Sequence, residues 1–236
     1  MNDFLQNVLK PCLKFHSQII SRTIEDIKLS DTISAGQDAA ISAFHFTEIF
    51  PDFKWTDAIA KELQSKLGDV ANTKKHRIRK DPKLQIEITA GIAFEFIEDK
   101  SIRYHRKYIV ASNQRFGSFD LYDTIAAYLP ILAAKVGWKL GDLPKIVHDE
   151  GFAPYVVLEV PDAFLLEGFH LTLLQKNDEG EMIPTDHPFF AGIFPRTNEI
   201  GRVAVIGLTG ESGQLRHPLP LGLDEPEAYV FVGRQS

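Results

Sequence analysis

Apolar residues in the first third of the chain recur at helical spacing. Over residues 3–29, Leu5, Val8, Leu9, Leu13, Ile19, Ile20, Ile24 and Ile27 keep close to a 3.6-residue period. That pattern predicts a helix, kinked or split at Pro11, which lacks an N–H and crowds the preceding turn. Ser34 with Gln37 three residues on has the form of a capping box and predicts the start of a second helix. Ala39, Ala40, Ala43, Phe44 and Phe50 line one side of it, and Pro51 follows its end. A third stripe, Trp55, Ala58, Ile59, Leu63 and Leu67, predicts a helix over residues 54–67. Three amphipathic helices joined by short links form a bundle.

The period then changes from 3.6 to 2. Leu84, Ile86, Ile88, Ala90, Ile92, Phe94 and Phe96 alternate with Gln85, Glu87, Thr89 and Glu95, which predicts a strand with one buried and one wet face. Its partner is Ile102 to Val110, with Ile102, Tyr104, Tyr108 and Val110 inward and Arg103, His105 and Lys107 outward. Both apolar faces share a side only if opposed residue numbers sum to an even value, so the loop has odd length, and Asp99-Lys100-Ser101 is the simplest choice. Glu95 then lies opposite His105, with Arg103 and Lys107 diagonal, as a charge-complementary outer face. Ser118 is the expected cap of a helix over residues 119–138, with Leu121, Ile125, Leu129, Leu132 and Val136 inward and a kink at Pro130.

Gly137, Gly141 and Pro144 mark a boundary, beyond which the chain becomes β-rich. Strands are predicted at 155–160, 168–175, 189–194, 202–208 and 228–232, with turns at Asn177 to Gly180, at Pro195 and from Gly210 to Gly213. The fold class is therefore α+β: an N-terminal helical bundle with an inserted antiparallel β-hairpin over residues 1–140, then a β-rich domain over 145–236, a small sandwich or open barrel.

Charge divides along the same line. Residues 1–140 hold 20 Lys and Arg against 17 Asp and Glu, a balance of +3, while residues 141–236 hold 6 against 15, a balance of −9. No DNA is expected on the acidic C-terminal region. A single cysteine, Cys12, rules out an internal disulfide and fits a reducing compartment. The N-terminus MNDFLQNVLKPCLKF has no apolar core with a small-residue cleavage site, and nowhere do eighteen apolar residues run together. The expected location is the cytoplasm, without a membrane partner.

Candidate chemistry is sparse. His45 and Glu48 in AFHFTEIF are three apart and share a helix face; with His76 they form a set that zinc or iron could use, against the alternative of a core histidine bonded across the bundle. Cys12 beside Pro11 has no partner implied by spacing, and no serine sits in a Gly-x-Ser-x-Gly setting. Gly207, Gly210 and Gly213 lack the Gly-Lys-Ser/Thr of a phosphate loop and mark a hairpin turn, and Asp186-His187-Pro188 and His217-Pro218 punctuate loops. No cofactor and no resident metal are assigned.

The basic cluster is the remaining feature. Lys74, Lys75, Arg77, Arg79, Lys80 and Lys83 stand with one acid, Asp81, in a ten-residue span, and Arg103, Arg106, Lys107 and Arg115 follow. Such a run is a candidate phosphate-contacting surface, against a solvated face or a protein-docking surface. Tyr104 and Tyr108 are the nearby aromatics and point inward by parity, so base stacking is not indicated. Val70, Ala71 and His76 are expected to belong to the bundle, with His76 aimed at His45, and the cations to sit at the helix-to-hairpin junction as a positive rim.

AISAFHFTEIF, followed by DVANTKKHRI, resembles a group of uncharacterised bacterial proteins in which a helix bearing a histidine is paired with an Ala-Asn-x-x-Lys-His segment; these are similar to the HEPN-like helical bundles. His45 matches the helix histidine, and Lys75 with His76 match the Lys-His pair, over residues 1–140. Active members of that class cleave RNA with an Arg followed four to six residues later by a His, and no Arg here has a His at that distance. The resemblance thus implies the bundle, while the Arg–His pair of the active nucleases is missing. Three functions stay open: a non-catalytic binding or interaction module acting through a protein partner or self-association, an RNA-binding or RNA-cleaving protein using residues 74–83, and a metal-dependent hydrolase using His45, Glu48 and His76.

Overall fold

Helices fill the N-terminal part of the chain and antiparallel strands the C-terminal part, in the expected α+β class. The computed structural model describes residues 2–26, 28–50, 54–76, 80–97, 101–141, 146, 151–161, 173–176, 179, 181–184, 187–196, 201–209, 223 and 228–232. Two compact units form, each discontinuous in sequence: Met1–Ile19, Asp31–Ala90 and Tyr108–Ile146 in the first, and Ile20–Ser30, Gly91–Lys107 and Val147–Ser236 in the second.

The first unit opens with α1 (Asn2–Phe4), which continues through a π-helical stretch, Leu5–Leu9, into α2 (Lys10–Ile20). Lys10 N–H bonds to Leu5 O, one residue wider than an α-helical turn. Pro11 explains the wide turn, because its ring has no donor for the carbonyl four residues back and crowds it. Phe4, Val8, Cys12, Phe15 and Ile19 form the buried stripe of this helix.

Three further helices complete the bundle: α3 (Ser30–His45), α4 (Ala58–Lys75) and α5 (Leu121–Lys135). Ala35, Ala39, Ala40 and Ala43 of α3, Leu67 and Val70 of α4, and Leu121, Ile125, Leu129 and Leu132 of α5 meet the α2 stripe in one core. Close approach matters here: a Cβ at Gly36 would sit 2.9 Å from the Phe15 ring, and one at Gly68 2.6 Å from the Phe44 ring.

Several boundaries differ from expectation. The first helix stops at Ile20 rather than running to residue 29, because Ile24 N–H donates to Glu159 O and Glu159 N–H to Arg22 O, a strand-like bridge that outcompetes further helix. α3 begins at Ser30, not after Ser34; Asp26 Oδ1 accepts from Lys28 and Ser30 N–H, and Leu29 takes a φ of 53°, which turns the chain into the helix. α4 starts after Asp57, whose Oδ1 accepts from Ala60 N–H, and runs eight residues past Leu67. Asp120, not Ser118, caps α5; Ser118 lies in strand β3 (Gly117–Asp120). Pro130 lies inside α5 as expected.

Strands β1 (Glu87–Ile97) and β2 (Ser101–Asn113) run through both units. The predicted loop, Asp99 to Ser101, falls mostly outside the described residues. Along β2 the buried positions are Ile102, Tyr104 and Arg106, then Lys107, Ile109 and Ala111: the alternation changes phase at Arg106–Lys107. Tyr108 and Val110, expected inward, are therefore half-buried, and Ile109 and Ala111 join the bundle core. In the first unit β3 pairs antiparallel with β2 from Val110↔Asp120 to Asn113↔Gly117.

The second unit is built on an antiparallel sheet of order β4-β8-β7-β9, from β4 (Tyr155–Val160), β7 (Phe189–Pro195), β8 (Arg202–Leu208) and β9 (Ala228–Val232). Phe189 to Phe194 and Val203 to Leu208 are buried at every position, so both faces of β7 and β8 are covered. The predicted 168–175 strand is described as β5 (Leu173–Lys176), which pairs in parallel with β1 (Ile92↔Leu173) and antiparallel with the unpredicted β6 (Met182–Pro184).

Candidate functional site

The last turn of α4 and the link to β1 bring the basic run together in the first unit. Lys74 Nζ pairs with Asp38 Oδ1 of α3 at 2.7 Å. Lys75, His76, Lys80 and Lys83 are exposed, and none of their side chains pairs with a described residue. His76 ends α4, its N–H bonded to Asn72 O, and Asp81 Oδ1 accepts from Lys83 N–H to start a short 3₁₀ turn, Pro82–Leu84. Ile86 N–H donates to Thr73 Oγ1, which ties the link back to α4. A helix C-terminus attracts cations, so Lys74 and Lys75 stabilise α4, but that field fades within the last turn and does not account for Lys80 and Lys83. Arg77 and Arg79 lie outside the described residues.

The His45–Glu48–His76 set is not assembled. His45 Nδ1 lies 2.9 Å from Glu48 Oε1, a surface pair with side chains 37% and 63% exposed. Two contacts orient α3 against α4: Lys74 to Asp38, and Gln64 Nε2 donating to Thr47 Oγ1 at 2.9 Å. Residue numbers rise along α4 as they fall along α3, so the helices are antiparallel. His45 stands at the Gln64 end and His76 beyond Lys74, about 15 Å apart along the axis. Among the described residues no group of three or more His, Cys, Asp and Glu is gathered as a metal site would need. The expectation that His76 faces His45 is thus corrected; helix faces are local, but the direction of one helix against another is not.

Three expected anion contacts are also relocated. In the second unit Lys107 is 1% exposed, with Nζ 2.7 Å from Glu25 Oε2, and Arg106 is 3% exposed. Tyr104, beside them, donates from its hydroxyl to Ser21 O at 2.9 Å and carries the Arg22 guanidinium 5.5 Å from its ring centre; burial pushes its hydroxyl well above the usual tyrosine value. Arg103 pairs with Glu95 and lies 4.5 Å over the Phe152 ring, while His105 Nδ1 is 3.2 Å from Glu95 Oε1. The charge complementarity of Glu95, Arg103 and His105 is as expected, but these residues bind one another rather than a ligand.

One grouping has no counterpart among the sequence-derived candidates. Cys12 and His16, one turn apart on α2, line a cavity of about 40 Å³ in the first unit with Leu9, Leu13, Tyr122, Ile125 and Leu129. His16 Nδ1 lies 2.7 Å from Tyr122 Oη. The four-residue spacing was visible, but Tyr122 arrives from α5. Burial pushes the Cys12 thiol up to about 12 and lowers the His16 imidazole below its usual value, so the thiolate needed for nucleophilic attack is disfavoured. A space of this size holds little more than water.

No described helix is long and apolar enough to cross a membrane. No family model, no curated protein and no solved structure matches the chain.

Proposed function

We propose that the chain is a non-catalytic binding protein that contacts the phosphate backbone of RNA through the rim of Lys75, His76, Lys80 and Lys83, on a helical unit read as HEPN-like from its motifs. The crowding of exposed cations supports this reading. Lys75, His76, Lys80 and Lys83 are all exposed within nine residues at the end of α4, and none of their side chains has a carboxylate partner among the described residues, whereas the neighbouring Lys74 is held by Asp38. Clustering like charges costs free energy unless an anion offsets it, and in a protein of net charge −6 the cluster is a local exception. The non-catalytic part rests on the separation of His45 from His76 and on the suppressed thiolate of Cys12.

Fluorescence anisotropy of a labelled oligouridylate tests the reading. Affinity is expected to fall as salt rises from about 50 to 200 mM, with a log–log slope of about −0.7 per phosphate neutralised. Replacing Lys75, Lys80 and Lys83 together by Glu weakens binding at least tenfold and flattens the slope by about 2. Absence of binding at the low-salt end, or binding unchanged in the triple variant, overturns the proposal.

A further inference from the structure

We infer that the bound strand is single and that one of its bases stacks on a platform made by Arg115 and Phe116; this rests on the RNA reading and specifies its ligand. The platform is the β2–β3 turn of the first unit. Asn113 Oδ1 accepts from Arg115 N–H at 3.1 Å and Phe116 N–H at 2.8 Å, and Gly117 follows with a φ of 67°, so the turn backbone is held by its own hydrogen bonds. The Arg115 guanidinium lies 4.6 Å from the Phe116 ring centre, and its side chain is 49% exposed. Lys66 Nζ lies 5.7 Å from the Phe116 ring and 5.5 Å from that of Phe119. Asp69, buried on α4, accepts from Asn113 Nδ2 at 3.0 Å and fixes the turn against the helix.

The same helix face leads to the rim. Lys66, Asp69 and Thr73 are spaced by three and four residues and share one side of α4, which ends at the His76 cap; Lys66 and Asp69 contact the turn and Thr73 the link into β1. Lys66 and His76 are about 15 Å apart along the axis, so a strand held at the rim by its phosphates reaches the platform. A guanidinium held 4.6 Å from a ring centre, edged by the Asp69 carboxylate and with half of its side chain exposed, is a stacking surface for a base, and only an unpaired base has a free face to offer. The aromatic expected to be missing from the basic surface is thus Phe116, supplied by the turn rather than by Tyr104 or Tyr108.

Arg115→Lys keeps the charge and removes the plane, and Phe116→Leu keeps most of the volume and removes the ring. Each variant is expected to bind the oligouridylate roughly tenfold more weakly with an unchanged salt slope. Wild-type protein is expected to bind an abasic strand of equal length as weakly as these variants bind the oligouridylate, and to bind duplex RNA or heparin no better in wild type than in the variants. If the variants and the abasic strand match the wild-type affinity while the rim variant still loses it, the stacking inference falls and the RNA reading stands. If duplex RNA binds as tightly as the single strand, the inference falls as well. If no strand binds, both fall. The abasic strand needs no mutation, so its outcome does not depend on how the variants fold.

Discussion

Lys107 offers the sharpest check on the relocation of charge in the second unit. Its ammonium is 1% exposed and 2.7 Å from Glu25 Oε2, itself 17% exposed. At that distance the gross attraction is about 6 kcal/mol for an effective dielectric of about 20. Desolvating the two ions offsets several kcal/mol of this, so the pair's net contribution is small, but removing one partner exposes the full imbalance. Glu25→Gln keeps the shape and removes the charge, and is expected to destabilise the second unit by about 3 kcal/mol. Lys107→Met is expected to cost less, and the double variant to recover part of the loss, with a coupling of about 2 kcal/mol. Trp55 and Trp138, the chain's two tryptophans, both lie in the first unit, so their fluorescence reports that unit, while hydrogen exchange at residues 101–107 of β2 reports the second. The loss should appear in the exchange data first. RNA affinity of Lys107→Met should be unchanged, because the buried ammonium is no part of the rim. A coupling below about 0.5 kcal/mol, or RNA binding lost with Lys107 alone, refutes the reasoning.

Two further outcomes test packing and titration. Gly207→Ala would place a Cβ 2.5 Å from Phe190 Cε1, its cross-strand partner, and Phe190 is only 3% exposed; overpacking of about 1–3 kcal/mol should exceed the roughly 0.5–1 kcal/mol gained by leaving glycine, so denaturant melts should show net destabilisation, partly relieved by Phe190→Leu. His16 has its imidazole pKa lowered by burial, so the unfolded chain binds its proton more readily; the stability contributed is full above about pH 6.5 and is lost as pH falls from there through the lower folded value, a fluorescence-monitored loss that His16→Gln should abolish. Asp26 is distinguishable: burial raises its carboxyl, hydrogen bonds from Ser30, Lys28 and Leu29 more than offset that, and its contribution is lost only as pH falls below the ordinary aspartate value of about 3.9.

The α+β class and much of the strand layout were legible because they rest on local periodicity. The predicted strands at 155–160, 202–208 and 228–232 match β4, β8 and β9 at both ends, since each is a short apolar run between turn residues. The end of α4 was misplaced because Gly68 resembles a stop. In the structure it is the point where Phe44 packs onto the helix, and Val70 and Ala71 continue the buried stripe beyond it. The phase change in β2 was hidden because Tyr108, Ile109, Val110 and Ala111 are all apolar, so either parity satisfied the pattern.

What the amino-acid order determined by itself was the set of faces: which side of each helix is apolar, which strands alternate, and that cations crowd residues 74–83. Those properties follow from the geometry of a few consecutive residues. Tertiary structure alone decided which faces meet. It set α3 against α4 in opposite directions and so separated His45 from His76, buried Lys107 on a carboxylate eighty-two residues away, and brought Tyr122 to His16. It also left Lys75, His76, Lys80 and Lys83 facing solvent at the end of α4 and in the link beyond it, while Lys66 and Asp69 in the middle of that helix meet Phe116 and Arg115. A contact between distant residues depends on the packing of whole elements, and no window along the chain contains that information.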